Sequence, residues 1–124
     1  MKSLSLWLVL CLAALVSTPA FARYQRLLST PARIVIVLVL CDEGEIDCPD
    51  VLYVGVDRAS GEVTQLKGAD WVRRCPRQNE PCQHIGFKFS SKSSDYYITD
   101  NGTLTIQSTR GEQLASEHGK WVDI

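Results

Sequence analysis

Two histidines and five cysteines are the residues of this 124-residue chain whose side chains most readily do chemistry. Neither His84 nor His118 belongs to a Gly-x-Ser-x-Gly, His-Glu-x-x-His or glycine-rich phosphate-binding motif. A hydrolase built on this chain would use His84 or His118 with nearby carboxylates as its base and acid. Since these motifs are absent, we predict no catalytic residue and no cofactor, and keep a small hydrolase of the cell envelope as an alternative.

Four cysteines form two pairs with the same spacing. Six residues separate Cys41 from Cys48, and six separate Cys75 from Cys82. In a small exported protein, an even number of cysteines predicts two disulfides. Turn-forming residues in each loop favour the local pairings 41–48 and 75–82 over a crossed pairing. The spacing is wider than that of zinc sites, so we predict no metal at these cysteines.

The two predicted disulfide loops carry opposite charges, since the first is rich in carboxylates and the second in arginines. A loop closed by a disulfide loses less conformational entropy on docking, and Arg and Trp are frequent interface anchors. The competing interpretations are two merely solvated loops, or calcium at the acidic loop, although the ligand order of an EF-hand is absent. The candidate partner-binding residues are Asp42, Glu43, Glu45, Asp47, Trp71, Arg73, Arg74 and Arg77.

The first 22 residues have the pattern of a secretory signal. Lys2 precedes an apolar run over residues 6–16, and residues 20–22 have the small-x-small pattern that signal peptidase cleaves. The run is shorter than the about 20 residues that span a bilayer. We therefore predict a cleaved signal at 1–22, a single domain at 23–124, a periplasmic or secreted location and no stable membrane anchor. A retained N-terminal anchor is the alternative.

Short apolar stretches predict a series of strands. Residues 34–40 are continuously apolar, which is typical of a strand buried on both faces. Asn101-Gly102 between two apolar–polar runs predicts a hairpin of 96–99 with 103–106. Further strands are expected at 51–56, 62–67, 85–89 and 121–124, with a strand or a helical turn at 112–118 and a loose arm at 23–30. The expected fold is mainly β: a small antiparallel β-barrel or curled sheet of about six to eight strands, stabilised by disulfides.

Composition excludes several classes of function. Hydrophobic residues make up 45% and charged residues 22% of the chain, as in a globular domain. The formal net charge of −1 lacks the basic surplus of a nucleic-acid-binding protein. The sequence therefore predicts that the partner is another extracytoplasmic protein and leaves the oligomeric state open. A structural envelope component that pairs through an exposed sheet edge is a further alternative.

An exported, small, disulfide-bearing β protein resembles in its general plan the periplasmic lysozyme inhibitors and exported immunity proteins of bacteria. Those proteins bind an enzyme and block its cleft. The Ser-Gly-x-x-Tyr motif of the lysozyme inhibitors is absent, and the nearest stretch is residues 93–97. The resemblance therefore covers the architecture and implies a non-enzymatic, inhibitor-like binding function, but it transfers no site residues.

Overall fold

The computed structural model describes residues 24–42, 47–76 and 81–123, and the predicted signal at 1–22 lies outside them. Within the described residues all regular structure is β-strand, which confirms the predicted fold class. The strands, numbered in chain order, are β1 Tyr24–Ser29, β2 Arg33–Val39, β3 Val51–Asp57, β4 Val63–Arg74, β5 Pro81–Ser90, β6 Ser94–Thr99, β7 Thr103–Ser108, β8 Gln113–His118 and β9 Lys120–Val122.

The nine strands form one antiparallel sheet that curls into a nearly closed barrel. Each strand from β1 to β8 pairs with the next one along the chain, and β9 returns to pair with β1. Only Gly119 separates β8 from β9, so the C-terminal stretch pairs first with β7 and then with β1. The expectation of a loose arm at 23–30 is wrong, because β1 pairs with both β2 and β9.

The connections define two ends of the barrel. The disulfide end carries the connections 40–50, 75–80 and 100–102, and the turn end carries 30–32, 58–62, 91–93 and 109–112. The cysteines pair locally, Cys41 with Cys48 and Cys75 with Cys82, as predicted. Both disulfides therefore stabilise the same end of the barrel.

Alternate side chains of each strand fill the barrel. In β2, Val35, Val37 and Val39 are buried, whereas Ile34 and the other residues between them are half-buried on the outer surface. The prediction that 34–40 is buried on both faces is therefore wrong within a single chain. Aromatic rings fill the centre, and Tyr53 lies 5.3 Å from both Phe89 and Tyr96 between ring centroids.

The predicted Asn-Gly hairpin connects β6 to β7. Gly102 has a φ of 94°, which side-chain-bearing residues rarely adopt, and its N–H donates to the carbonyl of Thr99. A Cβ at Gly102 would lie 2.6 Å from the carbonyl oxygen of Gly119. Because the N–H of Gly119 donates to the carbonyl of Gly102, this turn is packed directly against the β8–β9 junction.

Candidate functional site

The two disulfide loops meet at the rim of the disulfide end. Arg74, the last residue of β4, places Nη2 2.8 Å from Oδ2 of Asp47, which directly precedes Cys48. This ion pair joins the acidic loop to the end of β4, directly before Cys75, and the neighbouring Arg73 is exposed. The described parts of the two charged segments are therefore neighbours at the rim, which the sequence alone did not reveal.

Asp70 fastens the first disulfide loop to β4. Its backbone N–H donates to the carbonyl of Cys48 (2.7 Å), and its Oδ2 accepts the N–H of Cys48 (2.9 Å). The side chain of Asp70 is only 1% exposed, and Cys48 is fully buried. Since a buried carboxylate needs hydrogen-bond donors, these contacts hold the loop and the barrel together as one unit.

His84 lies between two carboxylates at the mouth of the disulfide end. Its Nδ1 is 2.8 Å from Oδ2 of Asp100, and its Nε2 is 3.2 Å from Oδ1 of Asp70. The second contact is not aligned as a hydrogen bond, so it acts mainly through the charges of the two groups. The three side chains lead from the buried carboxylate of Asp70, through the imidazole of His84, to the exposed carboxylate of Asp100.

A β-bulge in β5 aims His84 at this cluster. The register with β4 passes from Trp71↔Gly86 to Val72↔His84, which leaves Ile85 as the extra residue. Such a bulge redirects the neighbouring side chains. The expected alternation of Ile85, Phe87 and Phe89 accordingly holds for the two buried phenylalanines and fails at the half-buried Ile85.

The two carboxylates favour the protonated form of His84. Burial alone would lower the pKa of the imidazole, but the hydrogen bond with Asp100 and the contact with Asp70 outweigh it and raise the pKa above 6.5. His84 therefore holds a proton more readily than an ordinary imidazole, with both ring nitrogens facing carboxylates.

Arg26 and Trp121 complete the polar cluster of this mouth. The guanidinium carbon of Arg26 lies 3.9 Å from the centroid of the Trp121 ring, and its Nη1 lies 3.7 Å from Asp100. The indole N–H of Trp121 donates to the carbonyl of Asp100. Trp121 also packs edge-on against Phe87, so the cluster lies directly on the hydrophobic core.

Trp71 lies on the outer surface, on β4 rather than in a loop. Its ring is 5.5 Å from that of Tyr97 between centroids, and Nζ of Lys88 is 5.4 Å from its centroid. The expectation that Trp71, Arg73 and Arg74 belong to the arginine-rich loop is wrong, because β4 continues to Arg74. Trp71, Lys88 and Tyr97 line a shallow groove on the strands that adjoin the rim.

The predicted partner-binding residues divide into four groups. Asp47 and Arg74 pair with each other, Trp71 is half-buried on the outer surface, and Arg73 and Asp42 are exposed. Glu43, Glu45 and Arg77 lie outside the described residues. Sequence reasoning missed the buried Asp70, the half-buried Arg26 and the exposed Asp100, whose roles depend on long-range pairing.

The turn end carries a polar pocket of about 230 Å³ inside the barrel mouth. Arg33 lies at its edge and forms a double contact with Glu117, at 3.1 Å and 2.8 Å. Burial raises the pKa of Tyr53, at the floor of this pocket, to about 12. His118, the other candidate histidine, is exposed at the last position of β8, with Nδ1 3.3 Å from Oγ1 of Thr103.

No cluster of three or more His, Cys, Asp or Glu side chains suited to a metal ion occurs within 24–42, 47–76 and 81–123. Nor does any helix among the described residues have the length and apolar character needed to cross a membrane. These findings and the fold define the class: an antiparallel, barrel-like all-β protein with two disulfides at one end. The chain matches no protein-family model, no curated protein and no solved structure.

Proposed function

We propose that this protein is an exported, non-enzymatic binding protein of inhibitor or immunity type, and that it engages another extracytoplasmic protein with its disulfide end. The observation that carries the proposal is the Asp47–Arg74 ion pair, which joins the first disulfide loop to the end of β4, directly before the second disulfide. The two disulfides also favour an oxidising, extracytoplasmic environment.

A pre-organised rim favours binding because less conformational entropy is lost when the partner docks. Each loop is closed by a disulfide at a sequence separation of seven residues. The first loop is in addition fixed to β4 by the two hydrogen bonds between Cys48 and Asp70. Little conformational entropy is therefore lost in ordering the rim, so most of the free energy of its contacts contributes to affinity.

The chemistry of the rim favours Arg73 and Trp71 as anchors. Asp47 and Arg74 largely neutralise each other, whereas Arg73 is exposed. Trp71 offers one ring edge beside it on the outer surface. Arg and Trp are the residue types most often found at binding hot spots, so the complementary surface of the partner is expected to combine carboxylates with an apolar patch.

The hydrolase alternative is less well supported, because both ring nitrogens of His84 face carboxylates. To act as a base, His84 would first have to lose a proton that both neighbours stabilise. The alternative of edge-to-edge assembly requires an open sheet edge. Pairing of β9 with β1 covers part of that edge.

The proposal is tested by affinity capture from an extract of the extracytoplasmic compartment of the source cells. The immobilised baits are the oxidised native protein, the Arg73→Glu variant and an Arg110→Glu control. Arg110 is exposed in the β7–β8 turn, at the turn end of the barrel. The control therefore makes the same charge reversal away from the rim.

The proposal is supported by a protein that both the native chain and Arg110→Glu retain. Its retention by Arg73→Glu should be at least about tenfold lower. The loss should be larger at low salt, because the contact is electrostatic. Equal retention by all three baits would move the binding surface away from the rim. Retention of no protein at low salt would overturn the proposal.

A further inference from the structure

An apolar surface covers the outside of the barrel at β2 and β3 and continues to Leu27 of β1. Ile36 lies at its centre, paired in register with Leu27 of β1 and with Val54 of β3. The same surface extends to β9 and to the start of β4, where Val122 and Val63 are 44% and 55% exposed. We call this the β2 patch; its outward residues are Leu27, Ile34, Ile36, Leu38, Leu52, Val54, Val56, Val63 and Val122.

The β2 patch contrasts with the rest of the outer surface. On β5, β6 and β7 the outward positions carry polar side chains such as Lys88, Thr99 and Thr105. On β2 the outward positions are aliphatic throughout, and the registers place Leu38 beside Leu52 and Ile34 beside Val56. A solvated barrel face needs no such concentration of branched aliphatic residues.

The apolar character of β2 on both faces is typical of a strand that is covered on both faces. Among the described residues only the inward face is covered, because Val35, Val37 and Val39 are buried and their neighbours are half-buried. Contiguous apolar surface of this kind is typical of an interaction site. A second molecule can supply the missing cover.

We propose that the β2 patch is the interface of a homodimer, in which it packs against the β2 patch of a second copy. A two-fold dimer brings the same surface together from both subunits, so that surface must be complementary to itself. The β2 patch carries no charged residue, so two copies meet without like-charge repulsion. Sheet faces of this type stack about 10 Å apart with their strands nearly aligned.

The size of the β2 patch fits the centre of such an interface. Its half-exposed aliphatic side chains present on the order of 400 Å² of apolar surface. A standard interface uses about 800 Å² from each partner, with an apolar centre and a polar rim. The polar edge of this interface is supplied by two outward neighbours of the β2 patch. Gln25 lies beside Leu38, and Lys67 lies beside Leu52.

Sedimentation velocity on the protein recovered after export, with its N-terminus determined by mass spectrometry, tests the proposal. Measurements run from about 1 µM to about 100 µM, a range that resolves a micromolar Kd. Ile36→Lys introduces a charge at the centre of the β2 patch, and Val54→Glu does so on the adjacent strand. Thr105→Lys is the matched control, since it adds a charge to an outward position of β7.

The expected result is a dimer for the native protein and for Thr105→Lys, and at least about a 100-fold weaker association for Ile36→Lys and Val54→Glu, because a buried charge would be unpaired. Near-ultraviolet circular dichroism confirms that each variant is folded. A native protein that stays monomeric at the highest concentration overturns the proposal. So does a dimer that both charged variants retain, or an aggregate without a defined stoichiometry. The outcome is independent of the capture experiment, which probes the rim.

Discussion

Oδ1 of the buried Asp70 lies 3.2 Å from Nε2 of His84, while the other oxygen of the same carboxylate accepts the backbone N–H of Cys48. One carboxylate thus links the imidazole at the barrel mouth to the first disulfide loop. Asp70 requires both partners, since a buried carboxylate without them would be strongly destabilising. The rim and the polar cluster are consequently one structural unit, and the protonation of His84 contributes to its stability.

Folding stability should fall as the pH rises through the titration of His84. The folded state raises the pKa of this imidazole above its ordinary value of 6.5. The contribution of His84 to folding stability is therefore fully present below pH 6.5, and it is lost as the pH rises through the raised pKa of the folded state. Urea unfolding of the native protein from about pH 6 to about pH 9 should show this decline.

His84→Gln should flatten that decline, because glutamine does not titrate. His118→Gln is the matched control, because it makes the same substitution at an exposed histidine outside this cluster. An unchanged slope in His84→Gln would show that the carboxylates around His84 do not govern its protonation.

The two disulfides should differ in their effect on stability although they close loops of equal length. Both have a sequence separation of seven, so the chain-entropy model assigns each about 2.5 kcal/mol. Cys48 is fully buried and Cys41 packs against the core, whereas Cys82 is exposed. Replacing both residues of the first pair with alanine should therefore cost about 1 kcal/mol more than replacing both residues of the second, because core packing is also lost.

Denaturant unfolding of the two double variants measures this difference directly. Because the two loops are equally long, their chain-entropy contributions are equal. A difference in the free energy of unfolding between the two double variants therefore reports the packing of Cys48. Equal costs would mean that burial of Cys48 adds nothing to the disulfide. The second pair should instead affect partner binding, since in our proposal it pre-organises the rim beside Arg74.

Local patterns predicted much of the fold. Short apolar stretches predicted most of the strands, although not β1, Asn101-Gly102 predicted the hairpin, and equal cysteine spacing together with turn formers predicted the local disulfides. Each of these features is decided by residues close together in the chain. The fold class could therefore be obtained without knowledge of any long-range contact.

The polar cluster could not be predicted in the same way. The bulge at Ile85 that aims His84 has no local sequence signature, and the contact of Arg26 with Trp121 exists only because β9 closes the barrel against β1. The continuous apolar run at 34–40 was interpreted as evidence of burial within the chain. In our proposal a second copy of the chain covers the outer face of this run, because within the described residues the barrel covers its inner face only.

Glu117 should be a major determinant of barrel closure. It receives hydrogen bonds from Arg33 at 3.1 Å and from Oγ1 of Thr30 at 2.6 Å, both through Oε1, and its Oε2 lies 2.8 Å from Nη2 of Arg33. These contacts join β8 to the β1–β2 turn across the seam of the barrel. Glu117→Gln removes the charge that Arg33 faces at a largely buried site, and should cost about 1–3 kcal/mol in denaturant unfolding.

Glu112→Gln is the control for Glu117→Gln, because Glu112 is exposed just before β8. It should change the free energy of unfolding by less than about 0.5 kcal/mol. Equal, small effects of the two substitutions would contradict a closing role for the contacts between β8 and the β1–β2 turn.

Gly102 should tolerate substitution far less well than Gly111, although both have positive φ values, 94° and 89°. A Cβ at Gly111 meets nothing within 4 Å, whereas one at Gly102 would lie 2.6 Å from the carbonyl oxygen of Gly119. Gly111→Ala therefore isolates the backbone cost of a left-handed residue, about 1–2 kcal/mol. Gly102→Ala adds a clash with the β8–β9 junction and should cost at least about 1 kcal/mol more in thermal or urea unfolding. Equal costs would show that the hairpin and the junction adjust independently, and that the turn does not help to hold β9 against β1.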